Sequence, residues 1–231
     1  MPEYRNSLGQ PIGAPLEVDL PRPPPPRSPM TGGHVQVVPA DVAAHADGLF
    51  EAFAADREGR IWTYLPYGPF DSRAAFRDWM SATCTGDDPL FHAILDADGR
   101  PVGLASFLRI DPGAGVIEVG HINFAPALQR TAAATEAMFL MMRRVFDELG
   151  YRRYEWKCDA LNAGSRRAAE RLGFSYEGTF RKATHYKGRN RDTAWFAIVN
   201  DDWPRLREAF ETWLDPANFG SDGRQKNRLS A

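Results

Sequence analysis

The sequence predicts an α/β protein in which a mixed, largely antiparallel twisted sheet is flanked by helices. Three observations predict it. Leu90 to Leu95, Val102 to Ile110 and Val116 to Phe124 are strand-like runs separated by turn signals at Asp98-Gly99 and Asp111-Pro112-Gly113, which reads as a meander. A long amphipathic segment follows, from about Arg130 to Leu149, with Ala134, Met138, Met141, Met142, Val145 and Leu149 at helical spacing. The chain then alternates strand, helix and strand, and a meander joined to such an alternation calls for a mixed sheet with helices packed against it.

The bulk properties fit one folded unit with tails. The chain has 231 residues and is 43% hydrophobic, enough for a sizeable core. A net charge of −2 gives no field to draw it to nucleic acid or to a membrane. The sequence contains no apolar run near the roughly eighteen residues of a membrane span, and no basic-then-apolar leader. Cys84 and Cys158 are far apart and outside any metal-ligand spacing, so no metal is expected, and two packed thiols fit a reducing cytoplasm.

The elements follow in order. Residues 1–33 contain the run Pro21-Arg22-Pro23-Pro24-Pro25-Pro26-Arg27-Ser28-Pro29, which cannot supply ladder hydrogen bonds and reads as a poorly structured arm or a strap across the surface. Residues 34–214 hold the folded domain. Val35 to Val38 is a short strand, Asp41 caps a helix carrying Leu49, Phe50 and Phe53, and Asp71 or Ser72 caps a second with Phe76, Trp79 and Met80 on one face. The loop Trp62 to Phe70 between them is too aromatic for a plain linker. After the meander and the long helix, Gly150 supplies a left-handed stop. Tyr151 to Cys158 is a strand, Ser165 to Leu172 a helix, and Phe174 to Phe180 with Ala194 to Val199 a strand pair around a basic loop. Trp203-Pro204 opens a last helix, with Pro at the first helical position. The polar, Gly-rich residues 215–231 read as a loose tail.

The segment joining the third meander strand to the long helix carries the chemistry. Phe124-Ala125-Pro126-Ala127-Leu128-Gln129-Arg130-Thr131-Ala132-Ala133-Ala134-Thr135 places a loop of backbone amides at a helix N-terminus, which suits an anion and above all a diphosphate. About thirty residues on, Asn162-Ala163-Gly164-Ser165 caps the next helix, and Leu172-Gly173-Phe174 ends it. In these motifs and their order, over roughly Val35 to Asp202, the chain resembles the GNAT superfamily of acyl-CoA N-acyltransferases, and most of all the branch of ribosomal-protein N-terminal acetyltransferases. That family's diphosphate loop reads Gln/Arg-x-x-Gly-x-Gly/Ala. Here it is Gln129-Arg130-Thr131-Ala132-Ala133-Ala134, with Ala132 in place of the middle glycine. An alanine there is tolerated if the local backbone is already helical.

The resemblance implies a GNAT-like fold with acyl-CoA held at a splay between central strands, and acetyl-CoA as cosubstrate without a metal. It implies direct attack by a primary amine, with no acyl-enzyme. Phe124, Gln129, Arg130, Thr131, Ala132, Ala133, Ala134 and Thr135 would hold the cofactor, the Phe124 amide polarising the thioester carbonyl. Asn162 would bond the pantetheine arm, Arg166 would reach polar groups of the cofactor, and Ser165 would protonate the leaving thiolate. Glu118, a carboxylate on an otherwise apolar strand and costly to bury without a task or a partner, would take the amine's proton through water. An outward-facing strand charge remains the other reading. The position where some relatives carry a strand Glu is Thr184, leaving His185 and Tyr186 beside it to assist. Positions 118 and 121 differ by an odd number, so Glu118 and His121 face opposite sides unless a bulge intervenes. The aromatic loop Trp62 to Phe70 and the basic segment His185 to Arg191 would line the cleft for the acceptor, a peptide N-terminus or a small amine. A homodimer is left open. A non-catalytic acyl-CoA-binding module on the same fold is the other function that Ala132 and Thr184 suggest.

Overall fold

The computed structural model describes residues 4–231. Two short segments, β1 (Tyr4–Arg5) and β2 (Pro11–Ile12), pair as a separate hairpin. The domain proper runs β3 (Met30–Thr31), β4 (Gln36–Pro39), α1 (Val42–Ala54), a 3-10 turn at Arg60–Trp62, α2 (Arg73–Thr83), β5 (Leu90–Leu95), β6 (Pro101–Asp111) and β7 (Val116–Phe124). It continues with α3 (Ala132–Arg143), a π turn at Arg144–Glu148, β8 (Arg153–Asp159), α4 (Ala163–Arg171), β9 (Ser175–Tyr186), β10 (Arg189–Val199) and α5 (Trp203–Leu214). The caps are side chains of the expected kind. Asp41 accepts from the Ala44 amide at 2.7 Å, and Ser72 from the Ala75 amide at 3.2 Å.

Eight strands form one sheet in the order β3-β4-β5-β6-β7-β8-β10-β9. Every neighbouring pair is antiparallel except β7 and β8. A parallel pair needs a crossover, and α3 supplies it. The parallel pairing spans only Val116–Val119 against Arg153–Trp156. Beyond it the remainder of β7 leaves β8, and the sheet opens into a fork that points at the N-terminus of α3. One face of the sheet packs Ile117, Val119, Tyr154, Trp156 and Phe196 against α3, α4 and α5. The other face packs Phe91, Ala93, Leu104 and Ala125 against α1, α2 and Trp62.

The long helix differs from its sequence reading at both ends. It starts at Ala132 because Arg130 is left-handed (φ 62°) and Thr131 is extended. It loosens into the π turn before Gly150, whose φ of 66° no branched side chain adopts readily. A Cβ on Gly150 would also strike the Arg22 guanidinium, which donates to the Leu149 carbonyl at 3.1 Å. The last two strands extend through most of the expected basic loop, leaving only Lys187-Gly188 as the turn. Both cysteines are buried free thiols.

The two tails are held. The proline-rich stretch straps the domain: Arg22 N donates to the Pro112 carbonyl, Arg27 reaches Asp87, and Arg144 bonds Ser28 and the Pro29 carbonyl. The buried carboxylate of Glu136 on α3 accepts from the amides of Gly33, His34 and Val35 at 2.6–3.0 Å, fixing the strap's exit. The expectation of a loose 215–231 segment is corrected. Asn218 donates to the Trp213 carbonyl and accepts from Asn227 N, while Leu229 and Ala231 pack on the core. Its polar composition concealed these local bonds.

Candidate active site

The cradle is built by a cap and a turn. Thr131 Oγ1 accepts from the Ala134 amide at 3.1 Å and donates to the Leu128 carbonyl at 2.6 Å. The first amides of a helix have no intrahelical partner. With Ala134 capped, those of Ala132 and Ala133 remain for an anion, and the helix dipole adds to their pull. Ala134 as an amide donor is therefore a correction: its N–H is taken by Thr131. Ala132 opens the helix with helical backbone, so its methyl group costs no strain there. The unusual dihedral falls on Arg130 instead.

A cleft of about 1120 Å³ runs from the fork past the cradle. Ile122, Asn123 and Phe124 of β7 line its inner end, with Trp156, Asn162 and Ser165 opposite. Gln129, Arg130, Thr131, Ala132, Ala134 and Thr135 line the cradle side, whereas Ala133 packs inward on the core. Phe124 lies opposite Gly103, and the Ala125 amide donates to the Val102 carbonyl. Phe124 therefore sits in a non-hydrogen-bonded pair, and its own N–H and C=O point away from β6 into the fork. Gln129 Nε2 donates to that carbonyl at 2.9 Å. Ser165 Oγ accepts from Trp156 Nε1 at 2.9 Å, and its hydroxyl is in hydrogen-bond reach of the Cys158 sulfur, so its hydrogen points to a sulfur beside the cleft. Asn162 caps α4, its Oδ1 accepting from the Ser165 amide at 3.0 Å.

Three expected residues lie elsewhere. Arg166 turns away, with its guanidinium 5.3 Å from the Tyr176 ring and a bond to the Ala160 carbonyl. Arg167 and Arg171 line the cleft instead. They share a helical stripe with Gly164 and Ala168, a phase that the capping motif alone does not set. Tyr186 is not among the lining residues. Its hydroxyl donates to Asp159 Oδ2 at 2.6 Å, and burial, helped by that carboxylate, pushes its pKa up to about 12. It thus clamps the turn that carries Asn162.

Glu118 also lies off the cleft, on the opposite face of the sheet. It is 3% exposed and accepts from Arg109 at 2.6 Å and from Lys157 at 2.9 Å. Six residues of strand separate it from Phe124, roughly 20 Å of extended chain, too far for a single bridging water to carry a proton from an amine held there. His121 departs from strand alternation for a local reason. The ladder to β6 shifts register between Gly120 and Asn123, and His121 is left-handed (φ 50°). The bulge turns His121 onto the face shared with Glu118, where it stacks on Tyr67, and its Nδ1 meets the Tyr67 hydroxyl at 3.0 Å. Burial, then Arg109 and Arg191, lowers its pKa to about 4, so the ring is neutral at pH 7.

The aromatic loop and the basic hairpin meet. Lys187 Nζ donates to the Trp62 carbonyl at 2.7 Å and Arg189 to the Thr63 carbonyl at 3.1 Å. Two of the charges expected for the acceptor are therefore used to hold the loop. Trp62 is a core residue (5% exposed) ringed by Phe53, Phe70 and Phe76. His121 and Tyr67 form the polar part of this side.

A mixed sheet with a parallel fork, a helix N-terminus at its mouth and a long cleft across both define an acyltransferase of the acyl-CoA-binding kind. The profile of the acetyltransferase (GNAT) domain matches residues 35–175, and the chain belongs to that family. A GCN5-related N-acetyltransferase from Brucella melitensis is 47% identical, with 93% of this chain and 97% of that one covered and a TM-score of 0.90. The SPbeta prophage-derived uncharacterized N-acetyltransferase YokL of Bacillus subtilis (strain 168) is 27% identical over 127 residues, 55% of this chain and 71% of its own. RimL, a ribosomal L7/L12 alpha-N-protein acetyltransferase in complex with coenzyme A, shares the fold at 18% identity and a TM-score of 0.64, over 75% of this chain and 99% of that one. The protein is an acetyltransferase. No helix among the described residues is long and apolar enough to cross a membrane.

Proposed function

We propose that the protein transfers an acetyl group from acetyl-CoA to a primary amine, either a peptide N-terminus or a small amine, by direct attack. The observation that carries this reading is the continuity of the cleft from the first turn of α3, at Ala132, to the open strand edge at Phe124. The diphosphate sits at the start of α3, where the dipole and the unpaired N–H groups stabilise negative charge. The pantetheine arm runs inward past Asn162. The thioester carbonyl meets the Phe124 N–H, which stabilises the oxyanion as the amine adds. Ser165, its oxygen already bonded by Trp156, donates its hydrogen to the departing thiolate. The amine enters from the face of Tyr67 and His121. His121, neutral and on the face from which the amine enters, is the group we assign to accept the amine's proton through water. Glu118 acts behind it by holding Arg109. The coenzyme A bound to RimL, on the same fold, is in keeping with this placement.

The direct test is release of free thiol from acetyl-CoA with a panel of peptides and small amines, beside calorimetry with coenzyme A. Turnover on one amine class with micromolar binding is expected. Folded protein that gives no heat with any coenzyme A species would overturn the reading. Turnover of His121→Gln should fall at least tenfold, with acetyl-CoA affinity unchanged.

A further inference from the structure

The cleft has an outer half that neither the cradle nor the fork uses. Beyond Thr135 it is walled by Trp213 at the end of α5 and by Phe219, Arg224 and Gln225 of the C-terminal segment. These residues lie outside the span 35–175 matched by the family domain. The wall is built. Trp213 Nε1 donates to Gln225 Oε1 at 2.9 Å, Phe219 and Gln225 form a bridge, and Gly220 N donates to the Arg224 carbonyl at 2.9 Å, closing a turn. Arg171 joins this wall to the cradle. Its Nη1 donates to Thr135 Oγ1 at 3.1 Å, and its guanidinium lies 5.2 Å from the Trp213 ring.

We propose that the C-terminal segment 213–225 seats the nucleotide half of coenzyme A, with Phe219 against the purine and Arg224 and Arg171 on the ribose 3′-phosphate. This rests on the acetyl-CoA reading above. Once the thioester is at the fork and the diphosphate at α3, only the adenosine 3′-phosphate is left to fill the outer half. That group offers a flat π face and a dianion. The wall offers aromatic rings and guanidinium groups, the complement of both. Arg224 is held by one exposed ion pair, to Asp222 at 3.6 Å, and its side chain is 89% exposed, so exchanging that partner for a phosphate costs little.

The experiment is calorimetry of coenzyme A and of dephospho-coenzyme A, which lacks only the 3′-phosphate, against the full chain, Arg224→Ala and Phe219→Leu. Turnover with S-acetyl-N-acetylcysteamine, which carries no nucleotide, is measured alongside. Arg224→Ala should weaken coenzyme A about tenfold and leave dephospho-coenzyme A unchanged. Phe219→Leu should weaken both about equally, and neither variant should alter turnover of the short thioester. An unchanged affinity ratio in Arg224→Ala, with coenzyme A still bound, would overturn the nucleotide seat and leave the acetyltransferase reading standing. No heat from either ligand with the unaltered chain would instead overturn both.

Discussion

His92 gives a stability test whose size follows from the structure. It lies in the middle of β5 with no exposed surface, edge-on to Phe107 at 5.4 Å. Neither ring nitrogen meets a hydrogen-bond partner among the described residues, although the Leu90 backbone is close enough to offset part of the burial. Burial, followed by the positive charge of Arg144, takes its pKa from 6.5 to about 4. An unfolded chain binds the proton near pH 6.5. Between pH 6.5 and about 4 the unfolded state therefore holds more protons, and stability falls as pH falls. Above 6.5 the contribution is flat. At about 1.4 kcal/mol per pH unit, His92 costs about 2 kcal/mol between pH 6.5 and pH 5. His121, whose pKa is also lowered to about 4, adds a similar amount. His92→Phe keeps the ring's shape and contacts and removes the titration. Urea unfolding followed by tryptophan fluorescence, at half-unit steps from pH 7 to pH 5, should show the variant losing about 2 kcal/mol less stability than the wild type over that range, the remaining slope coming from His121 and the half-buried His45. A variant as pH-sensitive as the wild type would mean that His92 protonates in the folded state without penalty, and the burial argument would be wrong.

The remaining tests concern the site. Thr131→Val removes the acceptor for the Ala134 amide and should cost about 1 kcal/mol in denaturant unfolding, with a matching loss of coenzyme A affinity by calorimetry. Arg166→Ala should bind coenzyme A as the wild type does, while Arg167→Ala should bind it several-fold more weakly; equal effects would place α4 in the wrong helical phase. Ser165→Ala should lower kcat about tenfold or more without raising the KM for acetyl-CoA, and a KM effect alone would reduce Ser165 to a cap. Lys157→Met leaves two carboxylates facing each other in the sheet and should destabilise by about 3 kcal/mol, measured by the same urea assay at pH 7.

Features set by local periodicity were legible in the sequence. The meander, the stripe from Ala134 to Leu149 and the caps at Asp41 and Ser72 depend on residues within one or two turns of each other, and each appears where the pattern puts it. Features set by tertiary fit were not. Which arginine of α4 enters the cleft depends on how that helix rolls on the sheet, and one residue of phase separates Arg166 from Arg167. The face of His121 depends on a single left-handed residue that alternation does not foresee. The C-terminal segment is polar in composition, yet Asn218, Gln225 and Arg224 spend that polarity on bonds within the segment and on the cleft wall. A sequence rich in Gly, Asp and Asn reads the same whether its hydrogen bonds go to water or to the protein.

The fork itself explains why a carboxylate is buried at position 118. Glu118 on β7 stands directly opposite Glu155 on β8, one rung before the parallel ladder ends. Two carboxylates across a strand pair repel and would push the strands apart. Lys157, the first residue of β8 beyond the ladder, reaches back and bonds both, at 2.9 Å to Glu118 and 2.7 Å to Glu155. Its ammonium also lies 3.8 Å from the Trp195 ring on the neighbouring β10. Arg109 and Arg153 cover the outer sides of the pair. The charges thus hold β7 and β8 together at the last point where backbone bonds can do so. Past that point β7 has no partner on its β8 side, so the Phe124 amide is left open to whatever enters the cleft. Glu118 and its partners thus fix where the sheet stops pairing, and that position leaves the Phe124 N–H without a strand partner.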